Sequence, residues 1–248
     1  MTAIDGQPPP GAREITTGQA NRVWHTGGPA PYILKHYTDP GRAANEAAAL
    51  TLLAHHQAPA PRLLAADPTT TPAWTAQQAI QAEPVPASEL PRLLARPLAA
   101  IHRIPGPHAG RLAGARHHPT WPAYLHDRLG AYTAAAPRLA QAAARLHQAV
   151  DTALLETVEP RLLHHDLQPG HLIQQPDGTH LLLDWELAAY GDPLSDLARL
   201  AVRLHLPDPL LALAHQPSSP HTERRIKLYW HIHRLADTAY STGPRQHA

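Results

Sequence analysis

Polar residues cluster most densely, amid apolar neighbours, in the run Leu162-Leu163-His164-His165-Asp166-Leu167-Gln168-Pro169-Gly170-His171-Leu172-Ile173, and again in Leu181-Leu182-Leu183-Asp184-Trp185-Glu186. The apolar flanks tie both runs to a core. Asp166 and Asp184 are therefore expected at the two ends of a short hairpin, rigidly held and partly shielded from water. A carboxylate so placed favours catalysis through positioning and through electrostatic stabilisation that water does not dissipate. Read singly, Asp184-Trp185-Glu186 is a turn after a strand, Asp192 a helix cap and Asp196 an exposed acid. Only their ordered combination with His164-x-Asp166 points to a site.

The segment His164-x-Asp166, with His171 in its last place, resembles the catalytic loop of the aminoglycoside phosphotransferase and choline kinase superfamily. The usual pattern there is HxDxxxxN, followed by a hairpin and an aspartate-led DxE or DFG-like motif. Asp184-Trp185-Glu186 and Gly191-Asp192-Pro193-Leu194-Ser195-Asp196-Leu197-Ala198 are similar to the family's DWE and GDPxxDLA segments. The resemblance runs from about Glu14 to Tyr240, with its specific motifs in residues 164 to 198 and, less tightly, 18 to 46.

The resemblance implies a kinase that takes ATP or GTP, with an alcohol group as acceptor. Phosphoryl transfer asks mainly for in-line positioning and neutralised phosphate charge. Asp166 would accept or orient the proton of the attacking hydroxyl, and Asp184 would hold a divalent cation through hard oxygen. Asp196 would brace the catalytic loop by accepting hydrogen bonds, and His164 would support that loop. Lys35, on the third strand, would face the phosphates while paired with Glu46 on the next helix. Lys35 and Lys227 are the only lysines in the chain, and a compact ammonium is a point charge that arginine does not imitate. The loop Thr16-Thr17-Gly18-Gln19-Ala20-Asn21-Arg22 resembles the family's nucleotide-covering loop, which makes Gly18 and Asn21 candidates for nucleotide contact. Gln78 to Ile80 would form the hinge whose backbone reads the adenine edge. The departure is His171 where the family has Asn. Magnesium prefers oxygen, so this position would be left to water, or the site would tolerate manganese, which a neutral imidazole can ligate.

The resemblance, together with the order of elements, implies an α+β, bilobal, protein-kinase-like fold to position these residues: a small N-terminal antiparallel β lobe with one main helix, and a larger, mostly helical C-terminal lobe. Residues 1–12, rich in Pro and Gly, are expected to be disordered, 13–82 to form the nucleotide-binding lobe with the hinge, and 83–248 the helical lobe. Strands are predicted at Glu14–Thr16, Arg22–Trp24, Tyr32–Lys35, Arg62–Ala66 and Trp74–Ile80. A helix is predicted from Arg42 to about His55, bracketed by Pro40-Gly41 and Pro59. A Pro-punctuated linker follows near Ala82–Ala87, then helices over Ser88–Ile104, Thr120–Tyr132, Pro137–Leu155, Leu194–His205 and Thr222–Thr242. Pro91 and Pro97 predict a late start or a kink in the first of these. Pro176-Asp177-Gly178 supplies the turn of a hairpin between Leu172–Gln174 and Thr179–Asp184.

The 248 residues suffice for a sizeable core, and the formal net charge of +1 offers no field to steer nucleic acid or an anionic membrane. Cysteine is absent, which removes disulfides, thiolate zinc sites and thiol nucleophiles. No stretch is apolar enough to cross a bilayer and the N-terminus does not read as a signal peptide, so a cytoplasmic protein is expected, without nucleic-acid or membrane partners. The pairs His55-His56, His117-His118 and His231-x-His233 lack a third ligand of defined spacing and read as surface or core histidines.

The helical lobe has slightly more basic than acidic residues, which weighs against a polycationic acceptor. Tyr124, Tyr132, Trp230 and Tyr240 are candidates for holding a single cation, and equally core aromatics. Three readings remain: phosphorylation of a hydroxyl on a small metabolite or natural product, phosphorylation of Ser or Thr in a peptide matured with a lyase partner, and a nucleotide-binding pseudokinase scaffold.

Overall fold

The computed structural model describes residues 4–15, 21–114, 116–153, 155, 157–213 and 219–241. The first part of the chain forms β1 (Arg13–Ile15), β2 (Asn21–His25), β3 (Tyr32–Tyr37), α1 (Pro40–His55), β4 (Leu63–Asp67) and β5 (Ala73–Gln78). The strands make one antiparallel sheet ordered β1-β2-β3-β5-β4. Side chains alternate across it. Leu34 packs with Trp24, Trp74 and Ala76 on one face, whereas its neighbour Lys35 reaches Glu46 of α1 on the other.

The N-terminal segment expected to be disordered lies, from residue 4 on, along the outer face. Ile4 and Ala12 pack on the Trp24 cluster, and His36 Nε2 donates to Gly6 O at 2.7 Å. Gly6 has φ +80°, and a Cβ there would collide with the Trp74 ring, so only glycine lets the chain cross at that point.

Helix α1 starts two residues before its predicted limit because Asp39 caps it, accepting from Gly41 N at 2.9 Å, with Pro40 in the first turn. Its buried residues Ala43, Asn45, Glu46, Ala49, Leu50 and Leu53 recur at helical spacing. Ala49, Leu50 and Leu53 join the main core of the larger lobe, which includes Trp121, Tyr124, Trp185 and Tyr229.

The larger lobe runs β6 (Glu83–Pro84), α2 (Leu90–Leu93), α3 (Ala95–Ile101), β7 (Ala109–Arg111), β8 (His117–His118), α4 (Trp121–Ala135), α5 (Ala140–Thr152), β9 (Arg161–Leu163), β10 (Leu172–Gln174), β11 (His180–Leu182), β12 (Ala189–Gly191), α6 (Leu194–Arg203) and α7 (Pro220–Ser241). The helix predicted over Ser88–Ile104 divides into a 3-10 turn, α2 and α3, so that Pro91 and Pro97 both fall in first turns where a missing N–H costs little. The hairpin β10–β11 forms as predicted, and the linker adds to it as β6, in the order β11-β10-β6. A four-stranded sheet, β8-β7-β12-β9, was not predicted. Its strands are two or three residues long, too short to show alternation.

Candidate active site

The loop of residues 164–171 leaves β9 and returns through β10. Its start is fixed by buried Asp196 of α6, whose Oδ2 accepts from His164 N at 3.0 Å and Oδ1 from His165 N at 2.8 Å. His102 Nε2 meets the same carboxylate at 2.9 Å. His164 is fully buried: Nε2 donates to Leu183 O at 2.8 Å, and Nδ1 accepts from Asp166 N at 3.3 Å. Burial, then His171 nearby, lowers its pKa and keeps it neutral, as this bonding requires. His165 (φ 65°) and Asp184 (φ 67°) adopt left-handed backbone, a conformation that His and Asp tolerate better than most residues and that concentrates at active sites.

Lys35 Nζ donates to Glu46 Oε1 at 2.9 Å and to Asp184 Oδ1 at 3.0 Å. Burial opposes its charge, but the two carboxylates outweigh that and raise its pKa. At Asp184 burial likewise opposes ionisation, and Lys35 followed by His171 overcomes it, holding the carboxyl at about 2. Glu46, fully buried, also accepts from Tyr37 Oη and from Trp185 N at 3.1 Å.

Asp166 lines the same cleft as Lys35 and Asp184. Its Oδ1 accepts from Arg199 Nη2 at 3.1 Å and Arg203 Nη2 at 3.3 Å. Oδ2 has no hydrogen bond among the described residues. Burial opposes the charge of Asp166, but Arg199, His171 and Arg203 more than compensate, so its pKa is lowered. His171 donates from Nδ1 to Asp166 O at 2.9 Å, which leaves the Nε2 lone pair to accept from Gln168 Nε2 at 2.8 Å, 3.4 Å from Asp184 Oδ2. Ligand atoms of Asp166, His171 and Asp184 all lie within 4.8 Å of one another, the one such metal-capable group among the described residues.

Lys35, Asn21, Asp166, His171 and Asp184 thus line one cleft of about 1190 Å³ between the lobes. Gln78 and Ile80 do not line it. Gln78 closes β5 with its amide donating to Arg62 O at 2.9 Å, and Ala79 N donates to Pro31 O at 3.4 Å. Gly18 lies outside the described residues. Asn21 Nδ2 donates to Glu186, which also binds Arg42 Nη1 at 2.6 Å.

Sequence reasoning passed over Asn45, Arg199, Arg203 and Asp237. Asn45 ties three segments: Nδ2 donates to Glu186 O at 3.0 Å and Ala188 O at 2.9 Å, and Oδ1 accepts from Leu112 N at 2.9 Å and Ala113 N at 3.2 Å. Arg199 and Arg203 stand one turn apart on α6, a spacing that could have flagged a shared face.

The model of the phosphotransferase enzyme family matches residues 11–229. The chain belongs to that family. Solved structures share the family fold. A thermostable mutant of the aminoglycoside phosphotransferase APH(4)-Ia in apo form aligns with TM-score 0.69 at 16% identity, covering 93% of this chain and 86% of that one. The ternary complex of such a mutant with ADP and hygromycin B aligns at TM-score 0.68, 16% identity and the same coverages, 93% and 86%. The choline kinase LicA from Streptococcus pneumoniae aligns at 0.63 and 18% identity, covering 92% of this chain and 81% of LicA. No curated protein matches the chain. This phosphotransferase has, among its described residues, no helix long and apolar enough to cross a membrane.

Proposed function

We propose that the protein transfers the terminal phosphoryl group of ATP to a hydroxyl of a small molecule, with Asp166 receiving the proton of that hydroxyl. The observation that carries this reading is the convergence of Lys35, His171, Asp184 and Asp166 on one cleft, with Lys35 Nζ 3.0 Å from Asp184 Oδ1. Lys35 is oriented by Glu46 so that its ammonium faces the cleft beside Asp184, where a triphosphate needs a cation. Asp166 is kept ionised, and its free Oδ2 can take a hydrogen bond from an incoming hydroxyl. The glutamate Glu186 joins Asn21 at the start of β2 to the larger lobe, which steadies the strand carrying the nucleotide-covering loop.

The donor set fits a divalent cation: two carboxylates and an imidazole whose Nδ1 is turned to Asp166 O, so that its Nε2, bonded to Gln168 in this structure, would ligate once that bond is exchanged for the ion. Asp166, His171 and Asp184 would hold magnesium or manganese, which would neutralise phosphate charge during transfer. A peptide acceptor, and a lyase partner with it, gains no support from the relatives.

The deciding experiment is metal-dependent ATP consumption with pools of hydroxylated small molecules, for the wild type and for Asp166→Asn. Acceptor-stimulated turnover that Asp166→Asn abolishes is the expected result. Nucleotide binding without turnover in either protein would instead identify a scaffold.

A further inference from the structure

Cations outnumber acids along the cleft, and the excess is local. Asp184 is matched by Lys35, Glu186 by Arg42, and Asp166 with Asp237 by Arg199 and Arg203. Arg111, Arg116 and Arg128, which line the same cleft, have no carboxylate hydrogen bond among the described residues. Arg111 Nη1 donates only to Ala188 O, at 3.3 Å. Arg128, 7% exposed, donates from Nη2 to Tyr240 Oη at 3.3 Å, while its Nη1 is buried without a hydrogen-bond partner. The nearest acid to Nη1 is Asp127 on the same helix, 4.0 Å away. The buried Tyr124 hydroxyl is likewise without a partner.

The backbone holds these groups together. Arg111 N donates to Arg116 O at 3.1 Å, across Gly110, whose φ is +103° and whose Cβ would collide with that same carbonyl. Only glycine allows so close a return. The wall stands beside the catalytic loop, for the Tyr124 and His165 rings are 6.1 Å apart. Burial, then His233, Arg111, Arg199 and Arg128, keeps His165 neutral. Two of the aromatics that could have caged a substrate cation hold an arginine instead: the Arg128 guanidinium sits 5.0 Å from the Tyr132 ring centroid and bonds Tyr240 Oη.

A guanidinium removed from water without a counter-charge is costly unless a ligand supplies one. Building on the phosphotransferase reading above, we propose that Arg111, Arg116 and Arg128 bind an anionic group of the acceptor, a carboxylate or a phosphate, so that the phosphorylated hydroxyl belongs to an anionic small molecule. Both anions match the planar fork of arginine, and the unpartnered Tyr124 hydroxyl can donate to either. Polycationic acceptors and quaternary amines are repelled by the same wall. The nucleotide phosphates would have their own cations, Lys35 and an ion held by the metal-capable group.

The test measures binding to the full-length protein, with and without the non-hydrolysable nucleotide AMP-PNP and magnesium, using glycerate, glycerol 3-phosphate, glycerol and choline as matched probes. Expected is binding of glycerate, of glycerol 3-phosphate or of both, with glycerol and choline at least about tenfold weaker; the preferred anion identifies the source of charge. Arg128→Met should weaken the anion about tenfold or more and leave AMP-PNP affinity unchanged. Arg116→Glu, an exposed substitution that spares folding, should do the same. Glycerol or choline binding as well as the anions, no anion binding at all, or variants that lower AMP-PNP affinity instead would overturn the proposal. Failure of AMP-PNP itself to bind, or its indifference to Lys35→Met, would count against the phosphotransferase reading and leaves the anion measurement on free protein intact.

Discussion

Arg199 holds Asp166 from one side, donating from Nη2 to Oδ1 at 3.1 Å while its Nη1 donates to Asp237 Oδ1 at 2.6 Å. Arg203, one turn further along α6, repeats the pattern with Nη2 at 3.3 Å from Asp166 Oδ1 and Nη1 at 3.6 Å from Asp237 Oδ2. Side chains of two helices thus fix the Asp166 carboxylate and favour its charged form, leaving Oδ2 for the hydroxyl that the proposed transfer needs.

Removing that carboxylate should abolish proton transfer and little else. Asp166→Ala is expected to lower kcat by about two or more orders of magnitude while nucleotide affinity changes little. Steady-state kinetics and a nucleotide titration on the same preparation check both halves, and a near-wild-type kcat would contradict the role.

Arg199 and Arg203 lower the pKa of Asp166, so their loss must raise it. A carboxylate acting on a hydroxyl proton works deprotonated, and activity therefore falls as pH drops through its pKa. In Arg203→Met the acid limb of the kcat profile should move to higher pH, with the plateau still reached on the alkaline side. A limb that stays in place or moves down would show that the arginines do not tune this group.

His171 Nε2, which accepts from Gln168, lies 3.4 Å from Asp184 Oδ2, and imidazole suits softer cations than magnesium. His171→Asn should shift the manganese-to-magnesium ratio of ATP turnover toward magnesium. Identical ratios in the two proteins would remove His171 from the metal site.

The parts of this site legible in the sequence are those whose logic is local. His164, Asp166 and His171 fall within one loop, Asp184 follows the hairpin, and Lys35 and Glu46 sit on a strand and helix that alternation and helical spacing reveal. The residues that support them are not local. Asn45 bonds residues 67 and 141 positions away, and Arg199 meets Asp237 at a separation of 38. Among so many arginines no single one stands out until its partner is known. Strands such as β7 and β12, three residues each, exist only because neighbours pair with them.

Asn45 makes four hydrogen bonds that join α1 to residues 112–113 and to the segment after Asp184. Asn45→Ala would strand amides and carbonyls at the junction of the lobes, at a cost of about 1–3 kcal/mol for each group that water cannot reach. Thermal unfolding should show a loss of at least about 2 kcal/mol, and Asn45→Asp, which sets a buried carboxylate oxygen against the Glu186 and Ala188 carbonyls, should lose at least as much.

Acid should weaken the fold before Asp184 titrates. His233 is buried, with Nε2 donating to Ser195 O at 3.1 Å; burial, then Arg199, lowers its pKa to about 3. In the unfolded chain the value is about 6.5. Between those limits the unfolded state carries a proton that the folded state refuses, so stability is complete above about pH 6.5 and falls with acidification by up to about 1.4 kcal/mol per pH unit for this group. His164 and His165 are lowered too and add in the same direction. Asp184, held at about 2, also loses its contribution in acid, but only as pH falls below about 3.9. Urea midpoints at about pH 7 and pH 5 lie above the range in which Asp184 titrates, and buried Glu46, whose pKa burial raises, acts in the opposite direction and is common to the proteins compared. The midpoint should drop in the wild type, and His233→Gln, which keeps a donor amide without a titrating ring, should flatten the drop; equal slopes in the two proteins would show that His233 is not held neutral by its surroundings.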